Sequence, residues 1–406
     1  MNGPRRLSIC YVVPGHDLLA SVGPTRNVLS LARALNRHAD VTVAFRRVAD
    51  AELPTGLRVL EIQPDAVAAT VDDAATRGVS IPNFLTFMAA LRRFVRNDLR
   101  PFDVVLEKSW LLSGYVSMLC RRRGQLGVPV ENIVPKPSQA ARRQFMKFMR
   151  LYIAGKIAGS SIRRAPLVIA ETEYLRREIS RYWKVPAERI AVVDLGVDRE
   201  LFHPMDQTAA RQALGIGTGP TVLTYIGVLD FTHNLEPAIR ALGATRRTDI
   251  ELHVVGDGQR AAEYRRLADQ AGAHVIFHGR VPHRDVPGWI AAADACLAPY
   301  DTAVFSSGEL GYATMKIPEY LSVGRAVVSV PSGRVTSLVS HGDTGFLFPN
   351  ELGNWMSFLA EMPSRDRLHE IGKAAAATTL QSWDDTASAY LALCQQQLRS
   401  VPQERE

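Results

Sequence analysis

Cysteine is scarce and scattered. The 406 residues hold four, Cys10, Cys120, Cys296 and Cys394, with no Cys-x-x-Cys pair. That spacing suggests neither a structural zinc site nor a disulfide framework, and it suits a reducing, cytoplasmic setting. Long apolar runs are missing as well. Arg5 and Arg6 precede an apolar stretch over 7–13, but Pro14, Gly15, His16 and Asp17 end it far short of a signal-peptide core or membrane span. The expectation is a protein that crosses no bilayer. Neither an internal repeat nor a low-complexity tract is visible. Charged residues make up only 22% against 47% hydrophobic, the balance of a globular protein long enough for two or three domains. The basic residues accompany no recognisable RNA- or DNA-binding module, so nucleic acid is not expected as a partner.

What is present begins with an uneven division of charge. Residues 1–203 carry 31 Lys and Arg against 19 Asp and Glu, whereas the rest carry 17 against 22. Such asymmetry argues about partners rather than fold. Short apolar runs at 7–13, 41–45, 104–106, 167–169 and 190–193, then at 221–226, 251–255, 274–277, 295–298 and 326–330, alternate with segments of helical period. This is the pattern of α/β units with parallel sheets covered by helices. The stretch 196–219, with Pro204 and little periodicity, reads as a linker between two such units.

The most informative segment is Thr314-Met315-Lys316-Ile317-Pro318-Glu319, followed by Gly324 and an apolar strand. Proline is tolerated in a first helical turn, so Pro318 places a helix start near Met315 and Lys316, and Gly324 ends that helix. A helix N-terminus attracts anions. Upstream, Ser306, Ser307, Gly308 and Gly311 form a small-residue loop that lets a ligand approach the backbone, and Glu319 is placed to accept hydrogen bonds from a ribose diol. Diphosphate at the helix tip and ribose on the carboxylate is the reading. Near the N-terminus, Ser21-Val22-Gly23-Pro24-Thr25 lies between a strand and a helix, where Gly23 either admits a ligand or simply makes an ordinary turn.

These residues, with Gly196-Val197-Asp198, Tyr225-Ile226-Gly227, Val255-Gly256-Asp257-Gly258, Phe277-His278-Gly279, Ala293-Asp294 and Gly345-Phe346 in that order, resemble the retaining GT-B glycosyltransferases of family four. The resemblance implies two Rossmann-like domains facing across a cleft: residues 1–200, rejoined by a closing helix over 380–400, for the acceptor, and 201–379 for a nucleotide sugar. It implies catalytic roles for Gly23, His233 and Lys316. Donor contacts are implied at Gly227, Gly256, Gly258, Gly279, Arg280, Ser307, Gly308, Gly311, Thr314, Met315 and Glu319. No metal and no cofactor are expected beyond the nucleotide-sugar co-substrate. The family's pair of glutamates is reduced to Glu319, with Gly311 where the first would stand, and Lys316-Ile317-Pro318-Glu319 looks like a branch that uses Lys-x-x-Glu instead.

Two family cations are also absent. Val228 follows Gly227 where an arginine is usual, and His233 stands where a lysine is usual. A protonated His233 would restore part of that charge; helix capping is its alternative role. No histidine lies between His38 and His203, so the family's N-terminal catalytic histidine has no counterpart, and Glu107 and Glu131 become the acceptor candidates, each equally readable as an ordinary polar residue at a strand end. Two basic amphipathic segments, around Phe84 to Arg100 and around Arg143 to Tyr152, fit either an anionic membrane surface or ordinary packing. The expected activity is transfer of a hexosyl unit from a UDP-linked donor to a glycan, lipid-linked or small-molecule hydroxyl in glycoconjugate synthesis. The place is the cytoplasm or the inner face of the cell membrane. A catalytically weak nucleotide-sugar-binding subunit and a sugar-nucleotide epimerase are the alternatives.

Overall fold

The computed structural model describes residues 5–18, 23–48, 55–63, 81–134, 145–305, 308–378 and 380–400. The chain forms two compact units, Met1–Gly196 with Gln381–Glu406, and Val197–Leu380.

The first unit holds a sheet of seven parallel strands: β1 (Ser8–Val13), β2 (Asp40–Phe45), β3 (Arg58–Glu61), β4 (Val104–Lys108), β5 (Leu126–Glu131), β6 (Val168–Ala170) and β7 (Ile190–Val192), in the order β3-β2-β1-β4-β5-β6-β7. All five residues of β4 are buried. A strand covered on both faces by helices needs an apolar run, not an alternation. β3 and β5 were not expected from sequence. β3 is a four-residue edge strand carrying Arg58 and Glu61. In β5, Gly127 and Pro129 interrupt the apolar pattern. The structure explains both: the backbone of Ser117 occupies the space a Cβ on Gly127 would need, and β6 pairs with β5 only at Val130 and Glu131, beyond Pro129.

The helix Ile81–Asn97 turns Phe87, Met88, Leu91, Phe94 and Val95 into this core and leaves Arg92 and Arg96 outside. Each such side chain gains roughly 1.5–3 kcal/mol from burial, so this apolar face is already committed to the fold. Of the two amphipathic segments, this one therefore packs. In the second, Arg143 and the side chains of Phe145, Lys147, Phe148 and Arg150 lie outside the described residues. The helix Phe145–Ile162 does bury Ala154, Ala158 and Ile162 while exposing Tyr152, Ile153 and Ile157. The closing helix Trp383–Ser400 belongs to the first unit, packs on the helix Gly23–Asn36, and has Thr386 Oγ1 donating to the Asp194 carbonyl at 3.1 Å.

The second unit contains β8 (Thr221–Ile226), β9 (Ile250–Val255), β10 (Val275–Gly279), β11 (Ala295–Ala298), β12 (Ala326–Ser329) and β13 (Gly345–Leu347), all parallel, ordered β10-β9-β8-β11-β12-β13. β13, three residues long, is the strand sequence reading missed here. Asp294, part of the recognised Ala-Asp pair, is a buried tie: its Oδ2 accepts from Arg211 Nη2 and from Val222 N, both at 2.7 Å, fixing the entry to β8. Winding outward in both directions from β8 and β11 leaves a crevice at their carboxyl ends, the position where ligands bind in sheets of this topology.

Candidate active site

Four loops of the second unit converge on that crevice. After β8, residues 227–234 are pinned on both sides. Gly227 N and Leu229 N donate to Val255 O and Asp257 O at 2.9 and 3.0 Å, while Asn234 N donates to Pro299 O at 2.9 Å beyond β11. Space around Gly256 and Gly258 is taken by backbone of Gly227 and Leu229, so packing of one loop on another already requires these two glycines.

Gly227 is different. Its φ is +147°, and a Cβ there would fall on the Cε and Nζ of Lys316, 89 positions later. The two motif pieces thus meet: the lysine at the helix start lies against the glycine at the end of β8. Its ammonium also stands 5.8 Å from the centre of the Tyr225 ring. The helix Lys316–Val323 begins with Met315 in its N-cap position, has no side-chain cap, and ends at Gly324 with φ 79°, as the sequence predicted. Thr314 is buried and its hydroxyl is bonded to the Tyr300 hydroxyl, while Arg334 Nη1 donates to the Thr314 carbonyl at 3.3 Å. Arg334 is a cation beside the helix start that sequence reading did not single out.

Glu319, one turn into the helix, is mostly buried, with its Oε1 3.7 Å from His283 Nε2. His283 packs on Phe202 and was also not singled out. Arg280 is exposed after β10, beside Gly279. Gly308 is exposed and Gly311 half-buried in the segment before the helix; Ser306 and Ser307 lie outside the described residues. Gly23 opens the helix Gly23–Asn36, and Ser21 and Val22 before it lie outside the described residues.

His233 is buried, with its ring between Tyr225 and Tyr300 at 6.1 and 5.3 Å between centres. It does not cap the following helix Glu236–Thr245. Its Nδ1 lies 2.8 Å from Asp230 Oδ1, which also accepts from the Thr232 hydroxyl at 2.7 Å and Thr232 N at 2.9 Å. Burial and then the Lys316 ammonium push the His233 imidazole down to about 4, against the pull of Asp230. For Asp230, burial opposes the charge most strongly, but the bond and charge of His233 together with the two bonds from Thr232 outweigh it and hold the carboxyl below its usual range. At neutral pH, Lys316 rather than His233 supplies the positive charge next to Gly227.

The acceptor carboxylates need correction. Glu107 is fully buried, with Oε1 accepting from Trp110 Nε1 and Oε2 from Ser117 N, both at 2.7 Å. It ties β4 to the start of the helix Tyr115–Arg121 and offers no oxygen to an acceptor. Glu131 is also fully buried, and neither of its carboxyl oxygens has a hydrogen-bond partner among the described residues. Burial, then the nearby Glu107, raise it well above the usual carboxylate range. Its charged form is thus disfavoured, and its carboxyl is enclosed by the fold rather than presented to an acceptor. Next to it, Lys108 Nζ and Glu171 Oε1 form a buried ion pair at 2.6 Å.

Comparison with known proteins agrees with this arrangement. A model of a glycosyl transferase 4-like domain matches residues 22–196, and one of glycosyl transferases group 1 matches 220–361. The chain is 27% identical to a D-inositol 3-phosphate glycosyltransferase of Mycobacterium bovis, over 100% of this chain and 86% of that one. A protein of the same description from Kribbella flavida is 26% identical over 90% and 88%. Among solved structures, a sucrose-phosphate synthase from Thermosynechococcus elongatus superposes with a TM-score of 0.73 at 19% identity, covering 97% of this chain and 100% of that one. Anabaena HepE in complex with UDP and glucose gives 0.71 at 18%, covering 97% and 99%. With both parallel-sheet units in place, this chain is a glycosyltransferase of the GT-B fold and belongs to family four.

Proposed function

We propose that the protein is a retaining, metal-independent hexosyltransferase using a UDP-linked donor. The observation that carries this reading is the meeting of Lys316 with Gly227 at the end of β8, one helical turn from the buried Glu319. Diphosphate against Lys316 and the helix start, with the ribose hydroxyls on Glu319, uses all three. Arg334 and the helix N-terminus add to the field that stabilises charge growing on the departing phosphate. UDP is favoured because a structural neighbour was solved with UDP. Retention follows the family likeness, with the departing phosphate oxygen taking the acceptor proton; the burial of both Glu107 and Glu131 is consistent with a reaction that needs no carboxylate base.

For the acceptor we favour a small or lipid-linked hydroxyl compound bearing an anionic group. The excess of Lys and Arg in residues 1–203 supports this, as does the phosphorylated acceptor named for the D-inositol 3-phosphate glycosyltransferase relatives. A second reading, a weakly catalytic nucleotide-sugar-binding subunit, is favoured by Val228, an exposed apolar residue where the family has a cation. Incubation with labelled sugar nucleotides and an extract of anionic polyols and lipids separates the readings. Free nucleoside diphosphate with a glycosylated product supports transfer, an isomerised donor means an epimerase, and binding without turnover means the subunit. Glu319→Ala should abolish the thermal shift caused by UDP; an undiminished shift would refute the ribose assignment.

A further inference from the structure

We propose that Asp230 and His233 form a proton-accepting dyad, in which docking of the donor's diphosphate draws one proton from solvent onto His233 Nε2, with Asp230 as the positioning residue. The inference rests on the diphosphate site proposed above and adds a residue and a linkage to it.

The geometry carries the tautomer. An ionised carboxylate only accepts, so the 2.8 Å contact from Asp230 Oδ1 puts the single proton of the neutral ring on Nδ1. Nε2 is then the basic nitrogen, and among the described residues it makes no hydrogen bond. The ring cannot easily turn to exchange its nitrogens. It is held between Tyr225 and Tyr300, its main chain bridges to Tyr300, and the Tyr264 hydroxyl donates to its carbonyl at 3.0 Å. Asp230 is fixed in turn by Thr232 and by the His233 amide at 3.2 Å.

The charged and titratable groups facing this ring are few. Asp230 favours the imidazolium, Lys316 opposes it, and Tyr225, Tyr300 and the neighbouring Tyr312 are neutral phenols whose ionisation burial suppresses. A diphosphate beside Lys316 reverses the sign of the local field, since its two or more negative charges outweigh the one positive charge of the ammonium, which stays in place. The desolvation cost remains, but an imidazolium is now flanked by Asp230 and phosphate. The proton adds to the Nε2 lone pair while Nδ1–H stays on Asp230, and no bond in the donor changes. The imidazolium supplies on demand a cation in the same loop, 227–234, where Val228 provides none.

The test is calorimetric titration of UDP into the full-length protein near pH 7, in two buffers of unlike ionisation enthalpy, which gives protons taken up per UDP bound. Wild type should take up roughly one proton more than His233→Asn. Asp230→Asn, which can no longer enforce the tautomer, should lose most of that excess while still binding UDP. Equal uptake by wild type and His233→Asn would overturn the dyad and leave the donor site standing. No binding of UDP by the wild type would overturn the donor site itself. Should the variants fail to fold, nitrogen NMR of wild-type protein with labelled histidine gives the same answer: UDP should convert His233 Nε2 from a bare to a protonated nitrogen, and an unchanged resonance would overturn the proposal.

Discussion

Replacing Gly227 by Ala tests whether β8 and the helix start act as one unit. The new methyl meets two obstacles. The φ of +147° is one that L side chains rarely adopt, a strain worth about 1–3 kcal/mol. The methyl would also overlap Lys316, but the overlapping atoms are the Cε and Nζ of a flexible side chain, so the lysine can swing aside. The fold should therefore survive, with a melting temperature lower by about 3–10 °C. The larger effect falls on ligand binding: a displaced ammonium no longer makes its charge-assisted bond to phosphate, worth about 1.5–3 kcal/mol, so UDP affinity should drop roughly 10- to 150-fold. The assay is titration calorimetry on G227A, K316M and the double variant. If Gly227 acts by holding space for Lys316, the double variant binds no worse than K316M alone. Losses that simply add, or G227A binding UDP like the wild type, would refute the reasoning.

Linkage at His233 gives a pH prediction. Its folded value of about 4 lies below the ordinary histidine range, so between roughly pH 6.5 and 4 the unfolded chain binds the extra proton and stability falls as pH falls. The loss should approach roughly 3 kcal/mol at pH 4, and urea denaturation of H233N should show a shallower decline over that window. Removing one member of the buried pair, as in Lys108→Met, leaves the Glu171 carboxylate uncompensated and should cost about 3–5 kcal/mol in the same assay, whereas a surface pair such as Arg176 with Glu173 should be nearly silent. Anionic vesicles should retain the protein through the exposed Tyr152, Ile153 and Ile157 beside Lys156, and I153D/I157D should release it; recovery of wild type entirely in the supernatant at physiological salt would remove the membrane from its biology.

The strands the sequence revealed and those it hid differ for a physical reason. β1, β4, β8 and β11 are central and largely buried, and each carries a short, mainly apolar run. β3 and β13 are short edge strands whose pattern carries little signal, and β5 is disguised by a glycine and a proline whose tolerance depends on tertiary neighbours. The site shows a similar division. The helix start was legible because proline and glycine punctuate it locally. That Lys316 reaches Gly227, that Arg334 joins Thr314, and that His283 faces Glu319 are contacts between distant segments, for which one sequence has no local sign. Glu107 and Glu131 misled because a carboxylate at a strand end looks alike whether it faces inward or outward. Only burial and the bonds from Trp110 and Ser117 decide. Asp230 could have been found: three residues before His233 in one tight loop, it is within local reach of the ring.

The absent arginine after Gly227 bears on rate more than on binding. A donor can be held by Lys316, the helix start and Glu319, contacts that exist before the glycosidic bond breaks. Only interactions that strengthen as charge moves onto the departing oxygen accelerate that step. An arginine there would carry its charge whether or not ligand was bound, beside Lys316, and would repel it throughout. A neutral histidine avoids that standing repulsion, and Asp230 keeps it ready to charge when diphosphate arrives. The consequence is a specific kinetic signature. Val228→Arg should tighten UDP binding by adding a permanent cation, yet it should make turnover less dependent on His233. Steady-state rates of V228R, H233N and the pair, measured with UDP-glucose, decide it. If V228R leaves the cost of H233N unchanged, the two positions do not share the same charge, and the substitution of one cation by another is refuted.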